Sequence, residues 1–232
     1  TEKLVLMEPY MDLYNRNNVY APNRDFVKKE LYEDEALHLE VSKLKFRFMT
    51  DAQALLHGDL HTGSIFIRQD STKIFDCEFG TYAPMGYDVG NVVANLIFAY
   101  DNGLSTDDGP FCDWCLKTIE ETVDLFIEKF GRKYDEAVTE PMAKVKGFKE
   151  WYFDGILKDT AGYAGTELHR RTVGMANVVD VTTIQDEKKR LLAERINILA
   201  GKEYIMNQGA FRTGADYVAA VLRAKEAAQK TL

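Results

Sequence analysis

The chain contains, in its first third, the stretch His57-Gly58-Asp59-Leu60-His61-Thr62-Gly63-Ser64-Ile65-Phe66. Its first acid lies between a glycine turn and a short apolar run, which predicts an exposed loop between rigid flanks. A catalytic base needs a position of this kind, because it must reach a proton on the substrate. The alternative at this point is that Asp59 merely closes a turn.

A second pair of acids follows the next apolar runs. Asp76 and Glu78 are two residues apart, and in an extended chain residues i and i+2 point to the same face. Cys77 would then point the opposite way, into the core. Two carboxylates side by side suit Mg²⁺, which completes its octahedron with water and phosphate oxygens. The alternative is a pair of solvated acids at a strand end.

The order of these acids along the chain matches the order in kinase catalytic centres. In those centres a loop aspartate orients the attacking hydroxyl group, and a carboxylate after the next hairpin holds Mg²⁺ on the phosphates. Asp76 follows Asp59 by 17 residues, which leaves room for one hairpin. The joint spacing is more specific than either half, and it predicts a phosphotransferase.

The motifs also resemble a known family. His57-Gly58-Asp59 is similar to the H-G-D version of the protein-kinase H-R-D loop, which is found in aminoglycoside phosphotransferases, choline kinases and related small-molecule kinases. Four motifs resemble the methylthioribose kinase family in particular: the string of residues 57–65, the D-x-E-F of residues 76–79, Pro84-Met85-Gly86-Tyr87-Asp88-Val89-Gly90 and Arg170-Arg171-Thr172-Val173-Gly174. The resemblance covers the whole chain.

This resemblance implies which residues act on the substrate. Asp59 would be the general base on the anomeric hydroxyl group of 5-methylthioribose, and Asp76 and Glu78 would bind Mg²⁺. The paired arginines Arg170 and Arg171 would approach the substrate and the developing phosphate charge. Because adjacent helix residues diverge by about 100 degrees, we expect at most one arginine to point straight into the site unless a helix starts between them. A structural salt bridge is the alternative for the other.

The resemblance also implies a scaffold for the catalytic loop. Asp88 would cap the long central helix and brace the loop, which includes Gly58. His57 and His61 would hold the loop through hydrogen bonds. Ser64 occupies the position at which many relatives carry a metal-binding Asn, so a direct metal role for this residue is in doubt.

The composition excludes several other classes of protein. The 232-residue chain has a net charge of -8, whereas nucleic-acid binding draws on clustered Lys and Arg. No apolar run reaches the roughly 18 residues that would span a bilayer, and the first residues do not resemble a secretory signal. The three cysteines form no even framework, which favours a reducing compartment. We therefore predict a cytoplasmic protein with no nucleic-acid or membrane partner.

Hydrophobic patterning predicts a mostly α fold with a small β patch, as in the α+β C-terminal lobe of protein-kinase-like enzymes, and we take residues 1–232 as a single domain. The first 22 residues are predicted to be extended or loop, and short apolar runs between residues 54 and 75 predict strands around a hairpin. Helical spacing predicts the remaining elements at about 25–49 (one or two helices), 89–100, 110–130, including Cys112-Asp-Trp-Cys115, 140–165, 166–179, 187–207 and 213–230.

A Gly-rich phosphate cover and a strand lysine, which an N-terminal kinase lobe supplies, have no counterpart before residue 57. By resemblance the chain starts inside the C-terminal lobe, uses ATP and Mg²⁺, and forms a homodimer. We expect it to carry the base, the metal ligands and the sugar pocket of a methionine-salvage kinase, and to be inactive without an N-terminal lobe. Two alternatives stay open: a non-catalytic lobe that binds a sugar, a metal or a partner, and a kinase for another small alcohol such as an aminoglycoside or choline.

Overall fold

The structure is a computed structural model that describes residues 1–232. Its α-helices are α1 (Glu2–Leu6), α2 (Glu8–Met11), α3 (Arg24–Val27), α4 (Glu35–Thr50), α5 (Gly86–Ser105), α6 (Gly109–Ala137), α7 (Phe148–Val173), α8 (Val179–Thr182), α9 (Glu187–Met206) and α10 (Gly214–Gln229), and a π-helical turn (Lys28–Tyr32) follows α3. The strands are β1 (Ala54–Leu56), β2 (Ile65–Arg68), β3 (Ser71–Ile74) and β4 (Thr81–Ala83). None of the helices combines the length and the apolar character needed to cross a membrane. The fold is therefore mostly helical with a small β patch, as predicted.

The β patch consists of two antiparallel pairs. β2 and β3 form the predicted hairpin, with Ile65 opposite Ile74. β1 and β4 form the other pair, with Ala54 opposite Ala83. The β1–β4 pair brings together the two ends of the segment 54–83. Asp59 lies on the loop between β1 and β2, and Asp76 and Glu78 lie on the loop between β3 and β4.

Two hydrophobic clusters hold the molecule together. The larger one contains 26 buried residues, mainly from α5, α6, α7, α9 and α10. The smaller one contains 16 buried residues and joins α1, α4, β1 and β4 to α5, α7 and α9. Because α5, α7 and α9 contribute to both clusters, they connect the β patch to the helical body.

Helix α5 runs unusually close to α7. A Cβ atom on Gly90 would lie 2.7 Å from the backbone nitrogen of Ala164 and 2.7 Å from the carbonyl oxygen of Thr160. Only glycine leaves room for this approach. The contact fixes α5, and with it Asp88, relative to the end of α7 where the arginine pair lies.

Most of the predicted helices are confirmed, including α9, α10 and the helix that carries Cys112 and Cys115. The prediction of extended or loop structure for the first 22 residues is wrong for residues 2–11, where α1 and α2 form, whereas residues 12–20 contain neither helix nor strand. Val5, Leu6 and Tyr10 are buried in the smaller cluster, where α1 contacts α4 and α7. Burial of this apolar face outweighs the breaker signals in the segment.

The predicted division of residues 140–179 into two long helices is also wrong. α7 continues without interruption to Val173 and is followed only by the four-residue α8. Two of the three glycines of α7, Gly162 and Gly165, lie where neighbouring elements pack onto the helix. A Cβ atom on Gly165, for example, would lie 2.4 Å from the carbonyl oxygen of Gly201 on α9.

Candidate active site

The loop that carries Asp59 is held by Asp88, in the first turn of α5. The Asp88 carboxylate accepts hydrogen bonds from the backbone N–H groups of His57 at 2.7 Å and Gly58 at 3.0 Å. Gly58 has a φ of +86°, and a Cβ atom on it would lie 2.2 Å from the carbonyl oxygen of Phe79. Only glycine fits this turn. Together these contacts fix the backbone immediately before Asp59.

Asp88 does not cap α5, contrary to the sequence-based expectation. The N-cap residue of that helix is Met85, which makes no side-chain cap hydrogen bond. The Asp88 side chain points instead toward the loop. Burial raises the pKa of Asp88, and the two backbone donors oppose that rise.

Both histidines of the motif make contacts within the loop region. His57 Nε2 lies 2.8 Å from the carbonyl oxygen of Phe75, so this nitrogen is the donor. His57 Nδ1 is then free to accept the backbone N–H of Asp59, at 3.4 Å. His61 Nε2 lies 3.2 Å from the hydroxyl group of the buried Ser64. The two rings therefore link the loop to the hairpin.

The Asp59 carboxylate contacts both arginines at the end of α7. Arg170 Nη1 donates to Oδ1 at 2.9 Å. Arg171 Nη2 lies 3.2 Å from Oδ1 and 3.3 Å from Oδ2. The expectation that at most one arginine would point straight into the site is wrong. The two side chains leave the helix in different directions, but both are long enough to converge on one carboxylate.

This pairing sets the charge of Asp59. Burial on its own would raise the pKa of Asp59, but the charges and hydrogen bonds of Arg170 and Arg171 hold it below its ordinary value. Asp59 is therefore ionised at neutral pH and can accept a hydrogen bond from a hydroxyl group.

Sequence reasoning missed a further charged member of the site, Glu167. Its side chain is 1% exposed and pairs with both arginines, at 3.1 Å from Arg170 Nη1 and 2.9 Å from Arg171 Nε. The signal in the sequence was an acid three and four residues before two arginines, a spacing that places all three on neighbouring turns of a helix. The site thus holds two acids and two arginines of balanced formal charge.

The acid pair Asp76 and Glu78 lies in an exposed segment after β3. β3 ends at Ile74, Asp76 has a φ of +69°, and Glu78 lies in a turn. The chain is therefore not extended here, and the argument that residues i and i+2 share a face does not hold. Cys77 is exposed rather than directed into the core.

The acid pair nevertheless suits a divalent cation. Both side chains are exposed and offer hard carboxylate oxygens. No group of three or more His, Cys, Asp and Glu side chains converges in the chain, so the protein itself offers an ion only this pair of carboxylates here. A Mg²⁺ ion held by Asp76 and Glu78 would take its other ligands from water and phosphate oxygens.

Comparison with known proteins places the chain among phosphotransferases. Residues 7–111 match the sequence model of the phosphotransferase enzyme family. The chain belongs to this family. The matched residues include Asp59, Asp76, Glu78 and Asp88 but not the arginine pair. In this member of the family, the long helix α7 brings the arginines to the motif loop.

Several relatives are similar over most of the chain. It is 39% identical over 208 residues to the methylthioribose kinase of Geobacillus sp. (strain WCH70), covering 90% of this chain and 50% of that protein. The methylthioribose kinase of Geobacillus kaustophilus (strain HTA426) is 37% identical over 217 residues, covering 94% and 53%. The methylthioribose kinase of Bacillus cereus (strain B4264) is 38% identical over 205 residues, covering 88% and 51%. The chain spans about half the length of the curated relatives it matches.

Proposed function

We propose that residues 1–232 form one lobe, the C-terminal lobe, of an ATP-dependent cytoplasmic kinase that phosphorylates the anomeric hydroxyl group of 5-methylthioribose in methionine salvage. The observation that carries the proposal is the convergence of Arg170 and Arg171 on Asp59, in a loop of the phosphotransferase family. The names of the relatives support the choice of sugar.

Asp59 is the general base in this proposal. Its carboxylate accepts a hydrogen bond from the anomeric hydroxyl group and takes the proton as the oxygen–phosphorus bond forms. An anomeric hydroxyl group is more acidic than an ordinary alcohol, because the ring oxygen withdraws electrons. The two arginines hold the pKa of Asp59 low in the structure. Its carboxylate becomes a stronger base when they turn toward the phosphoryl group, while the hydroxyl group becomes more acidic as its bond to phosphorus forms.

The arginines serve the transferring phosphoryl group. A guanidinium group is always charged and presents planar donors that match phosphate oxygens. Arg170 and Arg171 contact Asp59 in the structure, and we infer that they turn toward the phosphate oxygens when the sugar hydroxyl group takes their place on Asp59. Their charge then stabilises the transition state, in which negative charge spreads over those oxygens.

Asp76 and Glu78 would hold Mg²⁺, which neutralises charge on the phosphates of ATP when it is bound. Ser64 contributes to the loop rather than to the metal, since its hydroxyl group faces His61. The acceptor side of the reaction therefore depends on residues of this chain.

A substrate panel tests this function. The complete protein that contains residues 1–232 is assayed with Mg-ATP and 5-methylthioribose, ribose, choline or an aminoglycoside. We expect phosphorylation of 5-methylthioribose, and negligible turnover by the 232-residue chain alone. Preferred phosphorylation of choline or the aminoglycoside would overturn the choice of substrate. Robust turnover by the 232-residue chain would overturn the proposal that it supplies only part of the active site.

A further inference from the structure

We propose that Glu167 is a positioning residue, which sets Arg170 and Arg171 side by side for the phosphoryl group. The inference rests on the proposed function and adds a residue to it. Glu167 lies on α7, about one turn before the arginines. Each of its carboxylate oxygens accepts from a different arginine, Oε2 from Arg170 and Oε1 from Arg171.

The two acids hold the arginines in different ways. Asp59 lies on a loop and is 15% exposed, so a substrate hydroxyl group can reach it. Glu167 lies within a helix and is 1% exposed, so it has no comparable access to solvent or substrate. When the arginines leave Asp59, Glu167 remains their partner, and it limits the rotamers that these long side chains can adopt.

The buried surroundings of Glu167, which include Tyr87, favour this arrangement. The Tyr87 ring is buried against Phe48 and Tyr163, with ring centroids 5.1 and 5.4 Å away. Burial, and after it the charge of Glu167, raises the pKa of the Tyr87 hydroxyl group, which therefore stays neutral. A buried carboxylate is stable only when it is paired, so the burial of Glu167 favours its contacts with both arginines.

A glutamine substitution in the complete protein tests the role. Glu167→Gln keeps the size of the side chain but replaces one acceptor oxygen by an NH₂ donor, so one of the two arginines loses the oxygen that it now contacts. We expect kcat for sugar phosphorylation to fall about 100-fold, the scale of loss from a small misplacement of a catalytic group, with the KM for ATP nearly unchanged. A loss confined to the KM for ATP would contradict the proposal.

The matched control is Glu194→Gln. Glu194 is also a buried helical acid, at 2% exposure, and it accepts from Arg190 and from Asn23, each at 3.1 Å. Its substitution removes a buried ion pair outside the site. We expect kcat to stay unchanged in this variant, whatever its effect on stability. An equal loss of kcat in both variants would overturn the specific role of Glu167.

Repeating the Glu167→Gln substitution in a protein that lacks Arg171 distinguishes a role in positioning the arginines from a general structural effect. In an Arg171→Ala protein, Glu167→Gln should reduce kcat much less than 100-fold, because one of the two side chains it positions is already gone. Equal losses with and without Arg171 would overturn the proposal. If the wild-type protein phosphorylates no sugar, the proposed function fails. The coupling of Glu167 and Arg171 in the free energy of unfolding, measured in urea, then decides whether the two residues are paired at all.

Discussion

The two acid motifs that decide the family differ in how far the protein organises them. Asp88 holds the backbone of the loop that carries Asp59, and two arginines contact the Asp59 carboxylate. The buried Glu167 in turn pairs with those arginines. Asp76 and Glu78 lie in an exposed turn segment. The difference supports the proposal that residues of this chain form the side of the site that binds the sugar. In the proposed function, Asp76 and Glu78 would supply carboxylate ligands, and the ion and the phosphates would complete the metal side of the site.

The largest expected effect is on turnover at the organised acid. Asp59→Asn keeps the size and most hydrogen bonds of the side chain but removes the base. We expect kcat of the complete protein to fall by about 10³-fold or more, with an unchanged circular dichroism spectrum. A near wild-type rate would remove Asp59 as the base and reverse the comparison between the two motifs.

Substitution of the open acids should impair turnover in another way. Asp76→Asn, a residue that tolerates the left-handed conformation, should weaken Mg²⁺ binding, so part of the lost rate returns at high Mg²⁺ concentration. Its free energy of unfolding should stay within about 0.5 kcal/mol of the wild type. The measurements are a Mg²⁺ titration of the rate and urea denaturation. A rate deficit that is independent of Mg²⁺ would exclude the metal role.

Stability should respond most at the organised cluster. Arg170→Ala leaves Glu167 buried with only one of its two ion-pair partners, and breaking a buried pair costs about 3 kcal/mol. We expect the free energy of unfolding to fall by roughly this amount, against almost none for Asp76→Asn. Equal effects of the two substitutions in urea denaturation would show that the cluster does not stabilise the fold.

His169, the residue before Arg170 on α7, should make the stability of the protein depend on pH. His169 is fully buried, with Nε2 at 3.0 Å from the Ile198 carbonyl oxygen and Nδ1 at 3.1 Å from the Tyr10 hydroxyl group. Burial lowers the pKa of His169 to about 4 from its ordinary 6.5. The unfolded chain therefore binds the proton more readily. The neutral, buried His169 makes its full contribution to the free energy of unfolding above pH 6.5. About 3 kcal/mol of that free energy is lost as the pH falls toward 4.

His169→Gln tests this pH dependence, since glutamine can donate to Ile198 and accept from Tyr10 without titrating. Between pH 6.5 and 4.5 the free energy of unfolding of the wild type should fall relative to that of the variant, as measured by urea denaturation at each pH. A constant difference between the two proteins across this range would contradict the assignment.

The smallest effect concerns the cysteines. Cys77 is exposed between the two open acids, whereas Cys112 and Cys115 are buried in α6. We expect a thiol reagent to modify one cysteine rapidly and two slowly in the folded 232-residue chain, and all three at one rate in urea. Three equal rates in the folded chain would show that the contrast in exposure is wrong.

Sequence patterns predicted much of the helical fold because regular apolar spacing survives in α6, α9 and α10, where one face is buried. They failed where packing overrode local signals. Short N-terminal helices form because Val5 and Tyr10 are buried, and Gly162 and Gly165 of α7 are close interhelical contacts rather than helix ends. The pattern around Asp76 suggested an extended chain, but the backbone turns there.

The sequence alone determined the chemistry on offer: the acids, the arginines, their order and the family they resemble. These depend on residue identity and spacing, which the chain carries directly. Tertiary structure decided the pairing. Arg170 and Arg171 reach Asp59 across 111 and 112 residues of chain, and Glu167 binds both. The helical period gives only the direction in which the Arg170 and Arg171 side chains leave α7. The packing of α5 against α7 decides that they meet the loop that carries Asp59.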